Sequence, residues 1–145
     1  MMYVMDFLSV IWSLMWGTPR DGLLLLGLPL HVALAGEIAI IVLMVRSPEN
    51  RERLLLSAIL LPLHALMYPL LLTFAGETTA ILFIEIYVFS ALILALGMIV
   101  YLICLCRWKR MNRYLWTAAA VWVLYFVASV GSPIHFLLLL CEAMS

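Results

Sequence analysis

Residues 78–106 read TTAILFIEIYVFSALILALGMIVYLICLC and contain one charged side chain, Glu85. A helix needs about 20 mostly apolar residues to cross the roughly 30 Å hydrocarbon core of a bilayer. Three more apolar runs, at about residues 22–45, 54–74 and 114–141, are also long enough, and short segments connect them. The sequence therefore predicts an all-α integral membrane protein in which four transmembrane helices form a small up-down bundle.

The composition of the whole chain supports this reading. Among its 145 residues, 68% are hydrophobic and 11% are charged, against about 45–50% and about 25% in soluble domains. Eight Lys and Arg residues balance eight Asp and Glu residues, so there is no basic excess to bind nucleic acid. The three cysteines show no spacing typical of a disulfide framework or a metal site. We expect a lipid bilayer as the solvent, no nucleic-acid partner and no metal.

The N-terminal residues 1–17 predict a separate, shorter element. Asp6, Ser9 and Ser13 fall on one side of a helical wheel, while the opposite side is apolar. The segment is too short to span a membrane, and it carries two tryptophans, which favour the headgroup region. We interpret it as an interfacial amphipathic helix that precedes a single four-span domain, residues 18–145.

The basic residues predict the orientation of the chain. The connection at residues 46–53 carries three arginines, and the connection at residues 107–113 carries three arginines and one lysine. Only Arg20 lies elsewhere. Because basic side chains are retained on the cytoplasmic side of a membrane, both termini are expected to be non-cytoplasmic. The membrane is predicted to be the cytoplasmic membrane of a bacterium or archaeon.

Six polar side chains fall inside the predicted spans. Ionisable groups at such depths cost about 2.5–3.5 kcal/mol on insertion scales, so they usually face the protein interior, a cavity or a partner. These candidates for a functional site are His31, Glu37, His64, Tyr68, Glu85 and His135.

Each histidine follows a proline by two residues. One interpretation is that the imidazole satisfies a carbonyl left free by a proline kink. The other is that the histidines bind a cofactor or carry protons. His31 and His64 both fall near the predicted mid-membrane depth on neighbouring spans, where they could be axial ligands of a haem or magnesium ligands of a chlorin.

The carboxyl groups leave similar alternatives open. Glu37 could exchange a proton for a cation inside the membrane, or it could hydrogen bond to a neighbouring helix or subunit. Glu85 and His135 are expected to approach each other directly or through one water, because both lie about 10 Å below the same surface on adjacent spans.

The pattern contains no catalytic set of residues, such as paired carboxylates or a nucleophile with a base. The favoured function is a non-catalytic structural or anchoring subunit of a larger membrane complex, with other membrane subunits or copies of itself as partners. One alternative is a small proton-coupled transporter or channel that acts as an oligomer. The other is a redox or photosynthetic subunit that holds haem or chlorin through His31 and His64.

Overall fold

The computed structural model describes residues 2–16, 27–74, 79–106 and 112–144, and this part of the chain contains no strand. The predicted all-α class is confirmed. The elements are α1 (Met2–Trp16), α2 (Leu28–Arg46), a short 3-10 turn (Pro48–Asn50), α3 (Arg51–Phe74), α4 (Ala80–Cys106) and α5 (Arg113–Met144).

Helices α2 to α5 are each long and apolar enough to cross a membrane. They have 19, 24, 27 and 32 residues, and the shortest extends about 28 Å at 1.5 Å per residue. Helix α1 has 15 residues, which extend only about 22 Å. The chain is therefore an integral membrane protein by the length and composition of its helices.

The start of α2 differs from the predicted span at residues 22–45. Gly27 is the N-cap, and Pro29 lies in the first turn, where its missing N–H costs no hydrogen bond. The helix begins at Leu28, and the stretch at residues 22–26 lies outside the described part of the chain. Apolarity alone predicted a longer helix because it does not register this capping glycine.

Polar turns flank α2, α3 and α5 at their arginine-bearing ends. Asn50 donates from its backbone N–H to the Ser47 carbonyl, over 3.0 Å, and from its side chain to the Ser47 hydroxyl, over 2.7 Å. Asn112 Oδ1 accepts from the backbone N–H groups of Tyr114 and Leu115, both at 3.1 Å. Asn112 thereby satisfies two donors that the first turn of α5 leaves free, while the Ser47–Asn50 contacts close the turn between α2 and α3.

The four long helices pack in pairs: α2 contacts α3 and α5, and α4 contacts α3 and α5. Gly36 shows why α2 comes so close to its neighbours. A Cβ atom there would lie 2.6 Å from Val121 Cγ1 and 3.1 Å from Leu61 Cδ2. The largest fully buried side chains, Trp122 and Tyr87 among them, fill the centre.

Helix α1 packs mainly against α3, with Leu14 buried, while Trp12 and Trp16 are exposed. Its C-terminal end presses on the beginning of α2: a Cβ atom at Gly27 would collide with the backbone carbonyl of Leu14. The helix predicted within residues 1–17 is therefore present, and it docks its last turn against the N-cap of α2.

Candidate functional site

Polar and aromatic side chains form one stripe on each of three helices. Within a stripe, the spacing is three, four or seven residues, which places the side chains on one face of a helix. The stripes meet between α3, α4 and α5, and we call them together the polar cluster. It consists of Ser57, His64 and Tyr68 on α3, Tyr87 and Ser90 on α4, and Trp122, Tyr125, Ser129 and Ser132 on α5.

His64 is the centre of the polar cluster and is 3% exposed. Its Nδ1 lies 2.7 Å from the Tyr125 hydroxyl, and its Nε2 lies 2.8 Å from the Ser90 hydroxyl. The Tyr87 ring stacks on the imidazole with centroids 4.9 Å apart, and the Tyr125 ring meets it edge-on at 5.7 Å. Both ring nitrogens and one ring face are therefore in contact with α4 and α5.

For a neutral imidazole, the hydrogen-bond partners of His64 assign the protons along the chain of hydroxyl groups. Ser90 donates its hydroxyl proton to the backbone carbonyl of Tyr87, 2.8 Å away, so its oxygen accepts from His64 Nε2–H. His64 Nδ1 then carries no proton and accepts from the Tyr125 hydroxyl. The Tyr87 hydroxyl, 3.1 Å from those of Tyr125 and Ser129, donates to Tyr125 and accepts from Ser129. With these five groups neutral, each of them uses its donor.

Two further hydrogen bonds extend the polar cluster along α3 and α5. Trp122 Nε1–H donates to the Ser57 hydroxyl over 3.1 Å, and the hydroxyls of Tyr68 and Ser132 are 3.2 Å apart. Together with His64 and Tyr125, these pairs ascend in residue number on both helices. Helices α3 and α5 therefore run parallel, and α4 supplies the side chains that fill the space beside them.

This arrangement is suited to holding helices together. Among the described residues, the chain of donors from Ser129 through Tyr87, Tyr125, His64 and Ser90 ends on a backbone carbonyl. A carbonyl accepts a hydrogen bond but passes on no proton, so the chain offers no exit for a transferred proton. Its chemistry is that of interhelical hydrogen bonding in a medium without water.

His31 lies apart from the polar cluster, at the junction of α1 and α2. Its Nδ1 is 2.8 Å from the Gly27 carbonyl oxygen and its Nε2 is 3.0 Å from the Met15 carbonyl oxygen. Met15 is in the last turn of α1, where carbonyls have no partner within their own helix. Since a neutral imidazole has one N–H, only the doubly protonated ring donates to both carbonyls.

Helix α2 begins at Leu28, so His31 lies nearer to the start of its helix than the predicted span at residues 22–45 implied. Counted from that end of the molecule, His31 is about 4.5 Å along α2, whereas His64 is about 15 Å from the end of α3 at Phe74. The two imidazoles contact different helices: His31 contacts α1 and the start of α2, whereas His64 contacts α4 and α5. With both ring nitrogens of each histidine in hydrogen bonds, the pair does not fit the axial ligation of a haem or chlorin.

Glu37 lies near the middle of α2 and is half-buried. Its Oε2 atom is buried without a hydrogen-bond partner in the described part of the chain. The Glu37 carboxyl group is thus partly buried within the protein, but it is not a member of the polar cluster. Both alternatives predicted for it, proton exchange and a hydrogen bond to another subunit, stay predictions.

Glu85 is exposed on α4, and His135 is half-buried on α5. Within residues 79–106 and 112–144, no hydrogen bond or ion pair joins them. Glu85 instead lines a small apolar notch against Val130 and Pro133. The described residues therefore show no direct contact between these two side chains, and their approach through one water stays a prediction.

The spacing of seven and four residues in the sequence predicts that Ser57, His64 and Tyr68 share one polar face of α3. The members on α4 and α5 were not predicted, because serine, tyrosine and tryptophan are not ionised near neutral pH. The signal was present on α5, where Trp122, Tyr125 and Ser129 repeat at spacings of three and four residues. The proline two residues before His64 did not indicate its partners, because His64 bonds to side chains rather than to a carbonyl freed by Pro62.

No group of three or more His, Cys, Asp or Glu side chains in the described ranges could hold a metal ion. Comparisons of the chain with protein-family models, with curated proteins and with solved structures give no match.

Proposed function

We propose that the chain is a non-catalytic structural or anchoring subunit of a larger membrane complex. Helices α2 to α5 form an up-down transmembrane bundle, and α1 lies in the interface beside it. The arginine-bearing ends of α2, α3 and α5 face the cytoplasm, and both termini face the other side, in a bacterial or archaeal cytoplasmic membrane. The partners are the lipid bilayer and other membrane subunits.

The observation that carries this proposal is the closed hydrogen bonding of the polar cluster. A transporter or redox subunit needs polar groups that are open to a substrate, an ion or a cofactor. Here both ring nitrogens of His64 are hydrogen bonded, to Ser90 and to Tyr125, and the chain of donors ends on the Tyr87 carbonyl. The most deeply buried polar groups therefore serve packing.

The outer surface supports a role in assembly. A groove of about 570 Å³ lies between α2 and α5, and small residues such as Ala35, Gly36 and Ala128 line it. Small residues let another helix approach closely in a membrane. The large apolar side chains exposed on α4, such as Phe89 and Ile93, add a second surface open to lipid or to a neighbouring helix.

The test is the size and colour of the protein purified from its own membrane in mild detergent. We expect native mass spectrometry to find the chain in a defined complex with at least one different membrane protein, without a haem or chlorin absorption band. A colourless assembly of this chain alone that acidifies proteoliposomes would favour the transporter. A Soret band that follows the chain would favour the cofactor-holding subunit.

A further inference from the structure

We propose that the notch beside Glu85 is a docking site for a transmembrane helix of another protein that carries a lysine or arginine. The proposal rests on the proposed function, because it requires the chain to work within a complex. It names the surface of contact and the chemistry of the partner.

The position of Glu85 is the first observation. It lies within the candidate span Ile81–Cys104, five residues after Ala80, or about 7.5 Å along α4. Its side chain is exposed. Ionisable groups inside a membrane nearly always pair with another group or face a cavity, so an exposed carboxylate at this depth indicates that a partner outside this chain completes it.

The charges in the described residues cannot complete it from within. Arg46 ends α2, Arg51 and Arg53 lie in the first turn of α3, and Arg113 begins α5. Arg113 precedes Pro133, which borders the notch, by 20 residues, or about 30 Å of helix. His135 forms no ion pair with Glu85 within the ranges that the structure describes.

The volume and the apolar walls of the notch favour a lysine or arginine side chain over a lipid headgroup amine as the partner of Glu85. Its volume is about 190 Å³, and its walls, formed by side chains such as Val88, Phe89 and Val130, are apolar. A lysine or arginine side chain matches this environment, because its aliphatic stem packs on apolar walls while its charged head meets a carboxylate. Lipid headgroup amines belong to the interface outside the hydrocarbon, whereas a spanning helix presents a cation at this depth.

The neighbouring surface of α4 has the length that a helix needs. Ile86, Phe89, Ile93 and Leu96 are exposed and repeat at three- and four-residue spacing, so they continue from Glu85 along one face of the helix. A partner helix that pairs with Glu85 can therefore pack along α4 with apolar contacts.

Peptide binding in liposomes tests the proposal. The purified full chain, with a fluorescent donor at its C-terminus, is mixed with an acceptor-labelled leucine-alanine peptide of about 22 residues that carries one lysine about 7 Å inside its hydrophobic end. We expect this peptide to bind at least about tenfold more tightly than the same peptide with leucine in place of lysine. The Glu85→Gln variant should lose the difference, and the matched variant Leu82→Ala should retain it.

A charge exchange provides the second arm. Glu85→Lys should bind a peptide that carries glutamate at the same depth and reject the lysine peptide. Equal binding of the lysine and leucine peptides by the unmodified chain would overturn the proposal, as would full preference in Glu85→Gln. Arg20 lies outside the described residues, and stronger lysine-peptide binding by Arg20→Gln would also overturn it, since the carboxylate would then be paired within the chain.

This experiment separates the docking site from the proposed function. If the chain forms its native complex equally well as Glu85→Gln, the subunit role stands and the docking site is wrong. If the chain is found without any partner in its own membrane, the subunit role fails, whereas the preference for the lysine peptide is measured independently.

Discussion

Replacing His64 with leucine should reduce the free energy of unfolding by about 2–4 kcal/mol. The side chain makes two interhelical hydrogen bonds, to Ser90 and Tyr125, and such bonds contribute about 0.6 kcal/mol each in a membrane protein. The larger part of the loss in stability comes from the Tyr125 hydroxyl, because it stays buried without its acceptor, which costs about 1–3 kcal/mol. Leucine has a similar volume, so it keeps most of the packing against Tyr87.

A double-mutant cycle tests the hydrogen-bond assignment itself. Tyr125→Phe alone should cost about 2 kcal/mol, because His64 Nδ1 then lacks its donor and Tyr87 loses an acceptor. In the double variant no Tyr125 hydroxyl is left without a partner. The combined loss should therefore be smaller than the sum of the two single losses by about 1–2 kcal/mol.

The assay is reversible unfolding in mixed micelles, followed by tryptophan fluorescence and by far-UV circular dichroism. Trp122 is a suitable reporter, because its ring lies 6.1 Å from that of Tyr125. The control is Leu63→Ala, which alters the exposed neighbour of His64 and should change stability by less than about 0.5 kcal/mol. A His64→Leu protein as stable as the control, or additive single losses, would refute the reasoning.

Three further predictions concern the junction of α1 with α2 and the edge of the polar cluster. Gly27→Ala should displace α1, because the added Cβ atom would collide with the Leu14 carbonyl, and a protease should then cleave α1 from the protein faster. The control is Gly97→Ala, where the added Cβ atom meets nothing within 4 Å and the cleavage rate should equal that of the unmodified chain. His31→Leu removes the ring contact with α1 and should speed the same digestion, and an unchanged rate would show that the ring does not hold α1. Tyr68→Phe removes one hydroxyl from the polar cluster and should lower stability by about 0.5–1 kcal/mol, and a larger loss in the unfolding assay would contradict its position at the edge.

The fold class followed from the apolar runs, because helix length and side-chain polarity act along the chain and need no tertiary information. The boundaries of α3, α4 and α5 lie within about three residues of those predicted. Helix α2 begins at Leu28, six residues after the predicted start, because Gly27 is its N-cap and Pro29 lies in its first turn within a sequence that is apolar on both sides. His31 is therefore nearer to the start of its helix than predicted.

The polar cluster was only partly predictable. His64 and Tyr68 stood out because they share a face with Ser57, and the same reasoning applied to α5 would have found Tyr125 and Ser129. Which stripes meet is a different question. It depends on α3 and α5 meeting across the bundle although α4 separates them in sequence, and no local pattern specifies that pairing.

The pairing between α3 and α5 has a consequence for how the chain is made. Residues emerge from the ribosome in order, so α3 enters the membrane while Tyr125, 61 residues later than His64, has not yet been synthesised. Until the last helix arrives, the Ser57 hydroxyl and the His64 Nδ1 atom must rely on water, lipid headgroups or the insertion machinery. Biogenesis therefore has a vulnerable interval, and a nascent chain truncated before residue 122 should be a preferred substrate of membrane quality-control proteases.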